Sequence, residues 1–195
     1  MRSPVGLPFL AVLLAVTGAL LWNQAEAADR TAASILKELP VLSLSEDATD
    51  VAKLIGPVGE GEQVVLFFWS TYDRFSREEL PAVRRFFHER RGDPRVHLLT
   101  VNLVEMREGV GAVREFLAKE APDLPVAIDP SWRSLERLQR HAHADGGAAL
   151  GLPTIAVLDA KGEVLVFQRG ATGRTYEILI RATGSKGSRP GRGRG

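Results

Sequence analysis

Few residues in this chain have types and spacings that could do chemistry. A polar run, Ser70-Thr-Tyr-Asp-Arg-Phe-Ser76, follows an apolar stretch. The four histidines are His88, His97 and the pair His141-Ala-His143, with Asp145 nearby, and Glu78-Glu79 are adjacent carboxylates. Spacing i, i+2 places His141 and His143 on different faces of a helix, so they converge on a metal only through a bend. Ordinary surface or half-buried histidines are the expectation, with no metal site. Adjacent glutamates point apart and form no general acid/base dyad. Asp73 falls where a helix should begin, and aspartate is among the best N-caps because its carboxylate accepts the first free backbone N–H groups. A carboxylate used in that way is a poor general base, so capping is preferred to catalysis. Ser76 either extends the cap or is solvated, and no histidine or lysine beside it in the sequence can activate it. There is no glycine-rich phosphate loop and no nucleophile motif, and no cofactor is expected. None of the 195 residues is cysteine. That excludes disulfides, thiolate metal sites, cysteine nucleophiles and a thiol redox cycle within the chain.

The elements that must position these residues alternate between strand and helix. Gln63-Val-Val-Leu-Phe-Phe-Trp69 is a continuous apolar run, the pattern of a central strand covered on both faces. A helix is expected from Asp73 to about Arg91, closed by Gly92-Asp-Pro94. Val96 to Val101 is a second buried strand, and 110–121 is a helix with Val113, Phe116 and Leu117 on one face. A short strand follows at 125–128 and a helix at 132–142. Thr154 to Leu158, the turn 159–162 and Glu163 to Gln168 form a hairpin, and 175–183 closes as a helix. Parallel crossovers followed by a terminal hairpin and helix give an α/β domain, a mixed central sheet flanked by helices.

The two ends differ from this body. Residues 1–27 read as a signal peptide or an N-terminal anchor: a charged start, an uncharged stretch from Val5 to Trp22, and an A-x-A exit at Ala25-Glu-Ala27. The folded part is therefore expected outside the cytoplasm, periplasmic or otherwise extracytoplasmic, soluble after cleavage or held to the membrane by an uncleaved N-terminus. Residues 28–61 form a lead-in and 62–183 the domain. Residues 184–195, with no apolar side chain, form a disordered basic tail. Residues 28–195 sum to +1, of which the tail supplies +4, so 28–183 carry −3. No nucleic-acid partner is expected.

Two segments resemble a known family. Phe68-Trp-Ser-Thr-Tyr-Asp-Arg-Phe-Ser-Arg-Glu-Glu-Leu-Pro81 is similar to the active-site segment of exported thioredoxin-like proteins of the TlpA/ResA type. In that family a strand ending Phe-Trp leads to Trp-Cys-x-x-Cys, then Arg-Glu-Glu and a helix proline. Gly151-Leu-Pro-Thr-Ile-Ala-Val-Leu-Asp-Ala-Lys-Gly162 resembles the family's cis-proline loop, strand and turn. The resemblance runs in order through residues 40–183 and implies a thioredoxin-like fold. It also places the two cysteine positions at Asp73 and Ser76, with Tyr72 in place of the preceding tryptophan. Thiol–disulfide exchange needs an attacking thiolate and a resolving thiol, so the fold is inherited without that activity.

The first reading is therefore a redox-inactive thioredoxin-fold protein with no catalytic residues. It would bind a protein or peptide through the former active-site surface, Tyr72, Asp73, Arg74, Phe75, Ser76, Leu152 and Pro153, in the assembly or maturation of another envelope protein. Phe75 should protrude between the former cysteine positions, with Trp69 in the core. Backbone at Leu152, beside the cis-proline position, should offer an edge to an extended peptide. Two other readings stay open: an enzyme using Asp73, Ser76 or the histidines in non-thiol chemistry, and an adaptor docked to a surface through the basic tail.

Overall fold

The computed structural model describes residues 32–104, 109–142 and 150–184. The expected signal or anchor at 1–27, residues His143 and Asp145, and the tail beyond Gly184 lie outside the described residues. In chain order the elements are α1 (Ala32–Lys37), β1 (Pro40–Leu42), β2 (Ala48–Asp50), α2 (Val51–Ile55), β3 (Gln63–Trp69), α3 (Arg74–Arg90) and β4 (Val96–Asn102). They continue with α4 (Gly109–Glu120), β5 (Val126–Ile128), α5 (Arg133–His141), β6 (Thr154–Asp159), β7 (Val164–Arg169) and α6 (Thr175–Gly184). Seven strands form one mixed sheet in the order β2-β1-β5-β4-β3-β6-β7. The expected α/β architecture is present, and the segment before residue 62 is part of it. Its strands β1 and β2 extend the sheet, and Leu36, Leu39, Val41 and Val51 are buried.

Strand β3 organises the rest. It runs parallel to β4 in unbroken register from Gln63↔Val96 to Trp69↔Asn102, and antiparallel to β6 on its other side. Val64, Leu66 and Phe68 face a cluster with Leu36 of α1, Leu39 just after it, and Leu135 and Leu138 of α5. Val65, Phe67 and Trp69 face Leu80, Val83 and Phe86 of α3, Val113 and Leu117 of α4, and Leu179 of α6. Every β3 side chain from Val64 to Trp69 is fully buried. At roughly 1.5–3 kcal/mol for each large apolar side chain removed from water, this strand is the main stabilising element. Gly162, at φ 80, makes the tight β6–β7 turn, a conformation that costs glycine no side-chain clash. Among the described residues no helix is long and apolar enough to cross a membrane.

Helix α3 is fastened at its first turns by a buried carboxylate. Glu79, 5% exposed, accepts the backbone N–H groups of Thr172 (2.9 Å) and Gly173 (2.7 Å) in the loop entering α6. Glu78 beside it points outward to Arg74 at 2.7 Å, so the adjacent glutamates do point apart. Replacing Glu79 by Ala orphans two backbone donors at the α3–α6 junction. The expected loss is about 2 kcal/mol, read as a lower urea midpoint at unchanged m-value. An unchanged midpoint would show that water replaces the carboxylate without cost.

Candidate functional site

The polypeptide leaves the sheet at the carboxyl end of β3, and the polar run picked out in the sequence forms the turn into α3. Asp73 is the N-cap of α3, as its position suggested. Its Oδ2 accepts the Ser76 N–H at 2.6 Å and the Ser76 hydroxyl at 2.6 Å. The Ser76 Oγ in turn accepts the Ser70 N–H at 3.3 Å, and the Ser70 Oγ accepts the Tyr72 N–H at 3.3 Å. The turn is closed on itself by these bonds. Tyr72 and Phe75 are pushed outward by it, 51% and 54% exposed, while Trp69 is fully buried in the core, as expected.

Ser76 differs from its expected place on the binding surface. It is completely buried, because its hydroxyl completes the cap beneath the first turn of α3. Its proton points at a carboxylate already engaged with a backbone N–H, and among the described residues no histidine is hydrogen-bonded to it. That arrangement holds a helix start and does not activate a nucleophile.

The facing wall comes from two other loops. The Leu152–Pro153 bond is cis, and Pro153 is buried with its carbonyl accepting the Gly170 N–H at 2.8 Å. Pro153 therefore shapes this wall without presenting its ring, a second correction to the expected surface. Leu152 is half-buried, and its backbone N–H and C=O have no hydrogen-bond partner among the described residues. The second loop turns on Asp129, whose buried carboxylate accepts Ser131 N–H (3.0 Å), Ser131 Oγ–H (2.9 Å), Ser134 N–H (2.8 Å) and the Ser134 hydroxyl. These bonds start α5 one residue later than expected and hold Trp132 outside the helix at φ 62, ψ 7. A bulky residue in the left-handed region is a strained position that surrounding bonds must enforce.

Ser70, Tyr72, Asp73, Trp132, Leu150 and Leu152 together line a shallow groove of about 350 Å³. Sequence reasoning missed Trp132 and Leu150. The clustering of Asp129, Ser131 and Ser134 was the available signal, since such residues cap turns as well as helices. Arg74 does not line this groove and is paired with Glu78 at 2.7 Å. The described histidines do not join the groove: His88 pairs with Asp123 at 2.5 Å, His97 with Glu62 at 2.7 Å, and His141 lies 2.8 Å from the Gly162 carbonyl.

No family model matches the chain. Sporulation thiol-disulfide oxidoreductase A of Bacillus subtilis is 28% identical over 105 residues, which is 54% of this chain and 58% of that protein; the match therefore spans little more than half of the relative's length. The crystal structure of StoA from Bacillus subtilis superposes with a TM-score of 0.54 at 23% identity, covering 74% of this chain and 94% of that one. A secreted disulfide oxidoreductase of Mycobacterium tuberculosis, described as homologous to DsbE of E. coli, gives 0.56 at 19% identity over 77% and 97%. The chain is homologous to these thioredoxin-fold oxidoreductases, and its fold is thioredoxin-like. With no cysteine, it lacks the thiols that thiol–disulfide exchange uses.

Asp73→Ala removes the cap of α3 and the acceptor of the Ser76 hydroxyl, with an expected cost of about 1 kcal/mol. Thermal unfolding of the two proteins side by side measures it. Equal melting temperatures would mean that Ser76 and water cap the helix unaided.

Proposed function

We propose that this protein is an exported, redox-inactive thioredoxin-fold binding protein that takes an extended protein or peptide segment at the former active-site face. The observation that carries this reading is what occupies the two cysteine positions. Asp73 and Ser76 bond to each other and to the α3 backbone, so both reactive positions are converted to structure. Beside them stand exposed Tyr72 and half-buried Trp132 in the groove, exposed Phe75 next to it, and a Leu152 backbone with no hydrogen-bond partner among the described residues. Amphipathic aromatics next to an open edge suit a peptide, whose main chain pairs with the edge while side chains rest on the rings. Export is supported by the N-terminal pattern of residues 1–27 and by the secreted relative. A role in assembling or maturing another envelope protein follows from the same resemblance. The buried Ser76 and the committed Asp73 favour a binder over an enzyme with non-thiol chemistry.

The test combines stability with capture from envelope extracts. Phe75→Ala and Tyr72→Ala should leave the melting temperature within about a degree, because both rings stand in solvent. Each should weaken binding of the captured partner about thirtyfold, the loss of one aromatic anchor worth about 2 kcal/mol. Unchanged capture by both variants would place the working surface elsewhere. A lower melting temperature for Phe75→Ala would show that the ring serves the fold.

A further inference from the structure

A second groove, of about 690 Å³, lies on the other side of α3, between it and α4. Its floor is apolar, with Leu80 and Pro81 from α3 and Phe116 from α4, whose ring centroid lies 5.6 Å from that of Trp69. Its rim is charged, and its arginines are not equivalent. Arg74 is paired with Glu78 at 2.7 Å; Arg84 is paired with Asp123 at 2.8 Å and reaches the Glu120 carbonyl at 3.3 Å. Arg77 has no ion-pair or hydrogen-bond partner for its guanidinium among the described residues. Of its same-face neighbours on the helix, Arg74, Leu80 and Pro81 offer it no side-chain acceptor, and the Asp73 carboxylate is turned to the Ser76 N–H and hydroxyl. Pro81 adds a second feature. It lies inside α3 and has no N–H, so the Arg77 carbonyl one turn before it lacks its helical donor. Arg77 presents to the groove a guanidinium with no partner among the described residues. Glu120 lines the other end, and its carboxylate has no ion pair among the described residues; the neighbouring Lys119 is held by Glu115 at 2.8 Å.

We infer that the α3–α4 groove is a docking site for an extended peptide segment of a partner protein, with an acidic residue on Arg77, an apolar side chain on Phe116 and a basic residue on Glu120. Charge complementarity at the two ends selects this occupant. The span sets its length. Arg77 and Arg84, which marks the Glu120 end, stand two turns apart on α3, about 10 Å along the axis. An extended chain covers that distance in about three residues. The segment therefore reads acidic, apolar, apolar, basic. Its neighbours in the groove repay desolvation by lying on Leu80 and Phe116. This site is independent of the Tyr72–Trp132 groove, and neither reading rests on the other.

The probe is an end-blocked hexapeptide, Gly-Asp-Leu-Phe-Lys-Gly, titrated calorimetrically into the full-length protein. Its controls are the uncharged Gly-Asn-Leu-Phe-Gln-Gly and the doubly basic Gly-Lys-Leu-Phe-Lys-Gly. The expected result is one-to-one binding of the first peptide at least tenfold tighter than either control. Arg77→Glu should reverse the order in favour of the doubly basic peptide, and Arg77→Gln should abolish the preference without changing the melting temperature. Phe116→Ala should weaken the first peptide at least tenfold, whereas Tyr72→Ala should leave it unchanged. Equal binding of the three peptides, no heat at millimolar concentration, or indifference to both Arg77 variants would overturn the inference. So would loss of binding in Tyr72→Ala, which would assign the peptide to the other groove. Self-association of the protein abolished by Arg77→Glu would show that a second copy fills the groove, and would overturn it equally.

Discussion

The structure depends on burying one strand on both faces. β3 contributes alternating side chains to two separate clusters, so helices must cover the sheet on either side. The parallel register with β4 ends both strands at the same level, at Trp69 and Asn102. Chain leaving a parallel sheet at that level forms loops that converge above the strand ends, where open α/β sheets place their binding sites. The groove of Tyr72, Trp132 and Leu152 is a consequence of that register. None of this requires a thiol, which is why the fold stands without a cysteine: the stabilisation is area buried from water, not a cross-link.

Losing the cysteines changed what the first turn of α3 does. In an oxidoreductase the reactive group at a helix start has to remain available. Here the carboxylate at that position is spent on the Ser76 N–H and hydroxyl, and the hydroxyl is buried beneath it. A capped carboxylate and a buried serine stabilise the turn and leave its aromatic neighbours Tyr72 and Phe75 exposed. Recognition needs only an open backbone edge and exposed rings, whereas catalysis needs a poised nucleophile. The first can outlast the second on one scaffold.

The two grooves flanking α3 illustrate how polar commitments shape surfaces. Nearly every ionic group near the helix is matched: Arg74 with Glu78, Arg84 with Asp123, Arg85 with Glu89. Exposed pairs of this kind add little stability, but they remove charge from the list of groups a partner can use. Arg77 has no partner among the described residues: Arg74, Leu80 and Pro81 on its face offer none, and Asp73 is turned to Ser76. Its availability is a product of sequence spacing on a helix whose placement the core decides.

Much of this protein is legible in its sequence. The apolar run 63–69 marks the central strand because only burial on both faces tolerates such a run. Asp73 at the end of a strand and the start of an amphipathic stretch marks a cap, since short polar side chains compete for free N–H groups there. The absence of cysteine settles the redox question without coordinates. The rest depended on distant segments meeting. Whether Ser76 extends the cap or is solvated stayed open, because burial of a helix residue depends on what the helix packs against. Trp132 looked helical because nothing local reveals that the Asp129 carboxylate holds four donors and defers the helix past it. Pro153 looked like surface because only the Gly170 contact shows that its side faces inward. The lead-in 32–61 has no long periodic run, and only the exposed edge of β5 explains why it pairs there as β1 and β2. Local pattern determines which elements form, because backbone geometry and capping act within a few residues. Tertiary structure alone decides which side chains share a wall and which are left without partners, because burial and charge pairing are set by residues far apart in the chain.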